Sequence, residues 1–332
     1  MLNFALIGAG RLGKVHADNI NKLPETQLTA VYDAVPGAAA ELAGKYQAAC
    51  CSSADEAANH PGVDAVVIAS PTFCHFSDAM LALDAGKALF CEKPLTLKLA
   101  DALTLQQKVH NSGAIMSVGF VRRHLKKWQM VHQLIKSGQL GKIKFCNIYL
   151  PFGAYKRLYG DWFTDFEKSG GVITDMLAHH LDLANWLFGT PQRVYAQSLL
   201  LDPAQELPGD YVSANITFAN WIIMNVMASW QRFGRSGELM EIYGEKGCIA
   251  MDYDPAVKLT MTGSDTEIIP AVDPEPIPGT NGAGFINEIR NFAATIHGQF
   301  FDFMPTVDDG VNSLKTADAM IRSSRTGKVI EF

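Results

Sequence analysis

The sequence predicts two successive domains: an α/β domain on a parallel sheet, then an α+β domain on a large, mostly antiparallel open sheet. Three observations predict this. Short apolar runs alternate with helical patterns through the first 120 residues, and a glycine hexapeptide follows the first of those runs. Beyond residue 120, strands follow one another with little helix between them. A chain of 332 residues is long enough to build two cores.

The first domain is expected over residues 1–121. Its strands are expected at 4–7, 28–32, 63–69, 87–91 and 114–118, and its helices at 12–23, 38–46, 76–85 and 97–110. Alternation this strict requires crossover connections, which makes the sheet parallel and covers both of its faces. The second domain is expected over 122–332. A helix at 125–137 and a strand at 143–152 lead into an irregular aromatic loop, followed by a helix at 174–188. Strands are expected at 194–200, 211–218, 221–230, 239–243, 248–253 and 257–262. Residues 263–281, rich in proline, glycine and aspartate, read as a surface loop. Helices at 284–297 and 307–326 and a short strand close the chain, the last helix (about 306–326) packing back on the first domain. With helices on one side, the other face of the second sheet, carrying Ile222, Val226 and Trp230, needs covering by a second copy.

Composition narrows the function classes. Hydrophobic residues make up 48% and charged residues 19%, which excludes a disordered chain. A net charge of −6 gives no attraction for nucleic acid or an anionic membrane. No apolar run approaches the roughly 20 residues that span a bilayer. The apolar opening Met-Leu-Asn-Phe-Ala-Leu-Ile lacks the basic residues of a secretory leader. Six cysteines, at 50, 51, 74, 91, 146 and 248, form no CxxC pair and no zinc rhythm. They read as reduced thiols in a cytoplasmic protein.

Gly8-Ala9-Gly10-Arg11-Leu12-Gly13 is GxGxxG between a strand and a helix, and Asp33 lies twenty positions after Gly13 at the end of the second strand. That context marks a Rossmann dinucleotide site. Gly8 permits the tight turn, Gly10 lets the backbone approach a pyrophosphate, and Gly13 lets helix and strand pack closely. Asp33 would accept bonds from the adenosine ribose and repel a 2′-phosphate. Ala34-Val35-Pro36 offers no cation to offset that repulsion, so NAD is expected over NADP. Ser70, Pro71 and Thr72, with His75 after them, stand at another carboxyl strand end, where such sheets bind ligands.

Glu92-Lys93-Pro94 ends a further strand there. The Lys93 ammonium could hydrogen-bond a substrate oxygen, and a cis Lys93–Pro94 peptide would aim it into the crevice. On a helix through 174–188, Asp175, His179 and Asp182 fall on one narrow face, giving an imidazole flanked by carboxylates. A satisfied core histidine is the plainer alternative. Zinc is not expected, because no HExxH and no nearby cysteine accompany His179.

Several stretches together resemble one family, the glucose–fructose oxidoreductase/inositol dehydrogenase (Gfo/Idh/MocA) family. They are GAGRLGKVHADNI at 8–20, ASPT…H at 69–75, AGKALFCEKPLTL at 85–97 and GFVRRH at 119–124. SGGVITDMLAHHLDLANWLFG at 169–189, EIYGEKG at 241–247 and DDGVNSLKTADAMIRSSRTGKVI at 308–330 complete the set. The resemblance covers essentially the whole chain. It implies Lys93, Asp175 and His179 as the catalytic set, with NAD as cofactor and a polyol or sugar as substrate. It also implies that the open sheet of the second domain faces a sister subunit in a homodimer or homotetramer. The wording is closest to the inositol dehydrogenases, with departures at His124 and at residues 230–235. Glu92 and Lys93 join the expected cofactor contacts, and Arg122, Tyr155, Arg157 and Trp162 join Lys93 and His179 as expected substrate contacts. Oxidation of an aldose, NAD-dependent glycoside cleavage, and a non-catalytic sugar sensor are the alternatives. Retention of both Lys93 and His179 argues against the sensor.

Overall fold

The computed structural model describes residues 1–35, 37–151, 162–163, 165–200, 209–230, 237–252, 254–271, 273 and 284–332. The chain divides into two compact units, Met1–His124 with Glu275–Val311, and Leu125–Pro274 with Asn312–Phe332.

The first unit holds β1 (Leu2–Ile7), α1 (Arg11–Lys22), β2 (Thr26–Tyr32), α2 (Ala38–Tyr46), β3 (Ala49–Cys50), α3 (Ala54–Ala58), β4 (Ala65–Ile68), α4 (His75–Asp84), β5 (Ala88–Glu92), α5 (Leu99–Ser112) and β6 (Met116–Gly119). Its strands are all parallel in the order β3-β2-β1-β4-β5-β6. This is the doubly wound order, with its switch point between β1 and β4. The alternation predicted that sheet but missed β3 and α3, each shorter than a pattern can show. All four residues of β4 are buried, as expected of a strand covered on both faces. On α1, Gly13, His16, Ala17 and Ile20 recur at helical spacing and are all buried.

The second unit begins with α6 (Lys126–Lys136), β7 (Ile143–Pro151), α7 (Phe166–Ser169), α8 (Gly171–Thr174) and α9 (Ala178–Phe188). It continues with β8 (Pro191–Leu199), β9 (Tyr211–Phe218), β10 (Ile223–Ser229), β11 (Leu239–Gly244), β12 (Gly247–Met251), β13 (Val257–Met261) and β14 (Thr266–Ile269). After α10 (Gly284–Ile296) and α11 (Val307–Thr326), β15 (Ile330–Glu331) completes a nine-stranded sheet, β14-β13-β12-β11-β7-β10-β9-β8-β15. Among its described strands only β7 and β10 pair in parallel, so the sheet is mostly antiparallel as predicted.

Four expectations need correction. Residues 266–269 form a strand on β13, because Thr-Glu-Ile-Ile pairs with 257–260 despite the turn-rich sequence around it. The helix α10 belongs to the first unit, where Ile286, Ile289 and Phe292 join Phe4, Leu6 and Phe90 in one core. The Phe292 ring lies 6.3 Å from Phe4 and 5.8 Å from Phe90. The 122–332 assignment is therefore too wide, and the first continuous segment ends at residue 124 rather than 121. Finally, the sheet phase at β10 is reversed. Ile222, Val226 and Trp230 are buried in the helix-covered core, and the open face instead carries Ile223, Asn225 and Met227. One residue of slip exchanges the two faces of a strand.

The helix α11 begins in the first unit and continues into the second. Arg123 Nη2 donates to Asp309 Oδ1 at 2.8 Å, and Gln106 Nε2 donates to Asp308 Oδ1 at 2.6 Å, both in the first unit. From Asn312 onward the helix packs in the second unit, where Ala317, Ala319 and Met320 enter its core.

Candidate active site

In the first unit, the carboxyl ends of β1, β2, β4 and β5 carry the residues expected to hold a cofactor. Gly8 has φ +99, and a Cβ there would stand 2.4 Å from the Ser70 amide nitrogen. A Cβ on Gly13 would stand 1.9 Å from the Gly8 carbonyl oxygen. Both glycines are thus required by the backbone itself. Gly10 differs, since a Cβ there would meet nothing within 4 Å among the described residues. The exposed Gly10 caps α1 without a side-chain hydrogen bond, and no acidic residue occupies the first turn. Arg11 is exposed, Leu12 is half-buried and Ala9 is buried. An open helix N-terminus behind a bare glycine suits a diphosphate group, so these residues fit NAD.

Two backbone amides hold Asp33 at the end of β2. Its Oδ2 accepts from the Ala9 amide at 2.6 Å and its Oδ1 from the Val35 amide at 2.7 Å. The carboxylate therefore ties the glycine loop to the end of β2, and each oxygen keeps a second lone pair for a ligand hydroxyl.

Ser70 and Pro71 are half-buried and Thr72 is buried. Ser70 Oγ donates to Asp78 Oδ2 at 2.6 Å, and burial raises the Asp78 carboxyl above its usual range. His75 is buried, with Nδ1 2.8 Å from the Pro94 carbonyl oxygen and Nε2 2.9 Å from that of Ser70. Burial pushes its pKa down, against the pull of those carbonyls. Expected as a cofactor contact, it instead clamps the β4 and β5 loops together. Glu92 is corrected likewise: it is 3% exposed and its Oε1 lies 2.6 Å from His16 Nε2, so its carboxylate faces the interior. Lys93, the next residue, is half-buried, and the Lys93–Pro94 peptide is cis.

In the second unit, Gly170, between α7 and α8, and Gly171, the first residue of α8, both take left-handed angles. A Cβ on Gly170 would stand 2.5 Å from the Thr174 Cβ, so glycine is required there. The single helix expected through 174–188 is broken at 175–177. The Leu177 amide bonds the Val172 carbonyl at 3.1 Å, five residues back, before α9 resumes. Asp175, the first residue of this turn, and His179, just past it, are half-buried, whereas Asp182 is 1% exposed. His180 is buried, with Nε2 3.1 Å from Glu238 Oε1, a contact that ties α9 to the start of β11. Ser313 Oγ donates to the Ala178 carbonyl at 3.1 Å, fixing the same helix from α11.

Of the expected substrate contacts, Arg122 is half-buried in the first unit. Trp162 is half-buried in the second, stacked on Phe163 at 3.7 Å. Tyr155 and Arg157 lie outside the described residues, as do residues 231–235. His124, the departure from the inositol dehydrogenase wording, is 2% exposed, with Nδ1 3.0 Å from Asn291 Nδ2. Burial, then the Arg123 charge, lowers its pKa to about 3. It is a neutral core residue.

Comparison with known proteins gives the same outline. Residues 2–120 match the family model described as the oxidoreductase family with NAD-binding Rossmann fold, and residues 128–250 match the GFO/IDH/MocA C-terminal domain. The inositol 2-dehydrogenase of Rhizobium meliloti (strain 1021) is 31% identical over 328 residues, 97% of this chain and 96% of that protein. The scyllo-inositol 2-dehydrogenase (NAD(+)) of Bacillus subtilis (strain 168) is 29% identical, covering 99% of this chain and 95% of that one. A crystal structure of a myo-inositol dehydrogenase from Corynebacterium glutamicum ATCC 13032 superposes with a TM-score of 0.83 at 26% identity, over 100% and 99% of the two chains.

Proposed function

The chain belongs to the GFO/IDH/MocA family of NAD-binding oxidoreductases, and from that premise we propose that it oxidises a secondary hydroxyl of an inositol-like cyclic polyol or sugar to a ketone. The observation that carries this reading is near-full-length likeness to an inositol 2-dehydrogenase in a chain that has Lys93, Asp175 and His179, all partly accessible. NAD⁺, when bound, accepts the hydrogen and electron pair lost by the carbinol carbon. His179 takes the hydroxyl proton as general base, since an imidazole titrates near working pH. Asp175 orients that ring and stabilises the imidazolium that forms, and Lys93 donates a hydrogen bond to the substrate oxygen as it becomes a carbonyl. Gly8 to Gly13 seat the diphosphate. Asp33 receives the adenosine ribose and repels a 2′-phosphate, which favours NAD over NADP. Arg122 and Trp162 join the polyol contacts, as do Tyr155 and Arg157.

The enzyme works in the cytoplasm as a homodimer or homotetramer. Two features support this: all six cysteines are free thiols, and the open face of the second sheet carries Tyr149, Tyr195, Met227 and Leu239. Among the described residues, no helix is long and apolar enough to cross a membrane. The test is a panel of inositol isomers, aldoses and reduced sugars with NAD⁺ and NADP⁺, followed by NADH absorbance. Turnover of at least one inositol isomer with NAD⁺ is expected, and a panel with no cyclic polyol turned over would sink the reading.

A further inference from the structure

Three ionisable side chains lie buried together in the first unit, outside the chemistry described so far. His16 from α1, Glu92 from β5 and Glu288 from α10 bring their polar atoms within 4.8 Å of one another. Their exposures are 0%, 3% and 0%. Glu92 Oε1 contacts His16 Nε2 at 2.6 Å, and Glu92 Oε2 accepts from the Lys93 amide at 3.3 Å. Among the described residues, neither buried oxygen of Glu288 has a hydrogen-bond partner. The walls are aromatic: the Phe90 and Phe285 rings stand edge-on to the imidazole at 5.4 and 6.0 Å.

An ionised Glu288 here would be a desolvated charge with no donor, facing a second carboxylate. A neutral carboxyl escapes both penalties and gains an O–H to donate. Glu92 is the acceptor in reach, directly after a small side-chain rotation or through one water. We infer that Glu288 is a neutral acid sharing its proton with Glu92, and that His16 and Glu288 together fix Glu92 and so the peptide from which Lys93 projects. They are positioning residues, and the positioning part rests on the reading of Lys93 as the group that touches substrate.

The neighbouring charges agree. Burial first, then the Glu92 charge, pushes the Glu288 carboxyl well above its ordinary value. On β5, burial holds the Cys91 thiol protonated. In the turn at 121–124, Arg123 is paired with Asp309, and His124 is neutral at working pH. On α10 itself, Arg290 donates to Asn287.

An acid whose folded pKa is raised contributes stability below its unfolded value and loses it as pH climbs toward the folded one. Glutamine keeps the shape and cannot titrate. In the NAD-loaded protein, Glu288→Gln should therefore melt above wild type by a margin that grows from about pH 5 to about pH 8, reaching several degrees. A margin independent of pH, a variant less stable at the higher pH, or a stoichiometric divalent ion in the purified protein would overturn the proposal. Should the variant not fold, the wild type supplies the readout. A protonated-carboxyl stretch in its infrared spectrum at neutral pH is expected, and its absence counts against the shared proton. For positioning, Glu92→Ala should lower kcat about tenfold or more with the KM for NAD⁺ within about twofold, and Glu92→Gln should recover most of the loss. Equal kcat for all three proteins would remove the positioning role. If Lys93→Ala kept full turnover while the pH-dependent margin persisted, the reading of Lys93 would fall and the proton pair would stand.

Discussion

The two sheets solve the same burial problem in opposite ways. In the parallel sheet, every residue of β4 from Ala65 to Ile68 is buried, because both faces are covered. In β10, Met224, Val226 and Ala228 enter a core while Ile223, Asn225 and Met227 do not. A sheet covered on both sides leaves only its strand ends for ligands, and the first unit places its glycine loop, Asp33 and Lys93 there. A sheet covered on one side leaves a whole face, and the second unit carries its acid–base candidates on a helix instead. Under the proposed function this is a division of labour, with cofactor features on one unit and the candidates for proton transfer on the other.

The largest effect should come from testing that division directly. His179→Ala should lower turnover by roughly 10²–10⁴-fold and leave NADH affinity nearly unchanged, read by single-turnover absorbance and by fluorescence titration. Loss of NADH binding in this variant would break the division. Next, neighbouring residues on β10 should behave as opposites. Val226→Asp, which buries a charge, should cost more than roughly 3 kcal/mol in denaturant titration. Met227→Asp should change monomer stability by less than about 0.5 kcal/mol and shift the light-scattering mass toward a single chain. Similar losses from both would erase the contrast between faces. Gly13→Ala should destabilise the first unit by about 1–3 kcal/mol, because its Cβ meets the Gly8 carbonyl, and should weaken NAD binding. The smallest effect is expected at Asp33. Asp33→Ala should narrow the NAD-over-NADP preference about tenfold, roughly 1.4 kcal/mol, in measured Michaelis constants.

Much of this architecture was legible because local patterns and global fold agree. The strand–GxGxxG–helix run and the twenty-residue step to Asp33 located one sheet, and the bounds of α2, β9 and α11 match their apolar periodicity. What escaped the sequence was long-range or ambiguous. Alternation at 221–230 is plain, but Ile222, Val226 and Trp230 compete with Ile223 and Met227, so either face looked ready for a core. The helix α10 has an obvious apolar stripe, yet nothing local says that Phe292 meets Phe4 and Phe90. No glycine or proline marks the break at 175–177, which rests on a single five-residue carbonyl bond. Glu92 and Lys93 read alike in the sequence as cofactor contacts, whereas the structure buries the Glu92 carboxylate against His16.

The late arrival of α10 in the first core bears on biosynthesis. Domains commonly finish folding in the order they leave the ribosome. Here the unit that contains the amino terminus lacks Ile286, Ile289 and Phe292 until residues 284–296 have been made. Until then Phe4 and Phe90 face an incomplete wall. The strands of the second unit are all translated, except β15, before that wall closes. The first unit is therefore unfinished until α10 has been made.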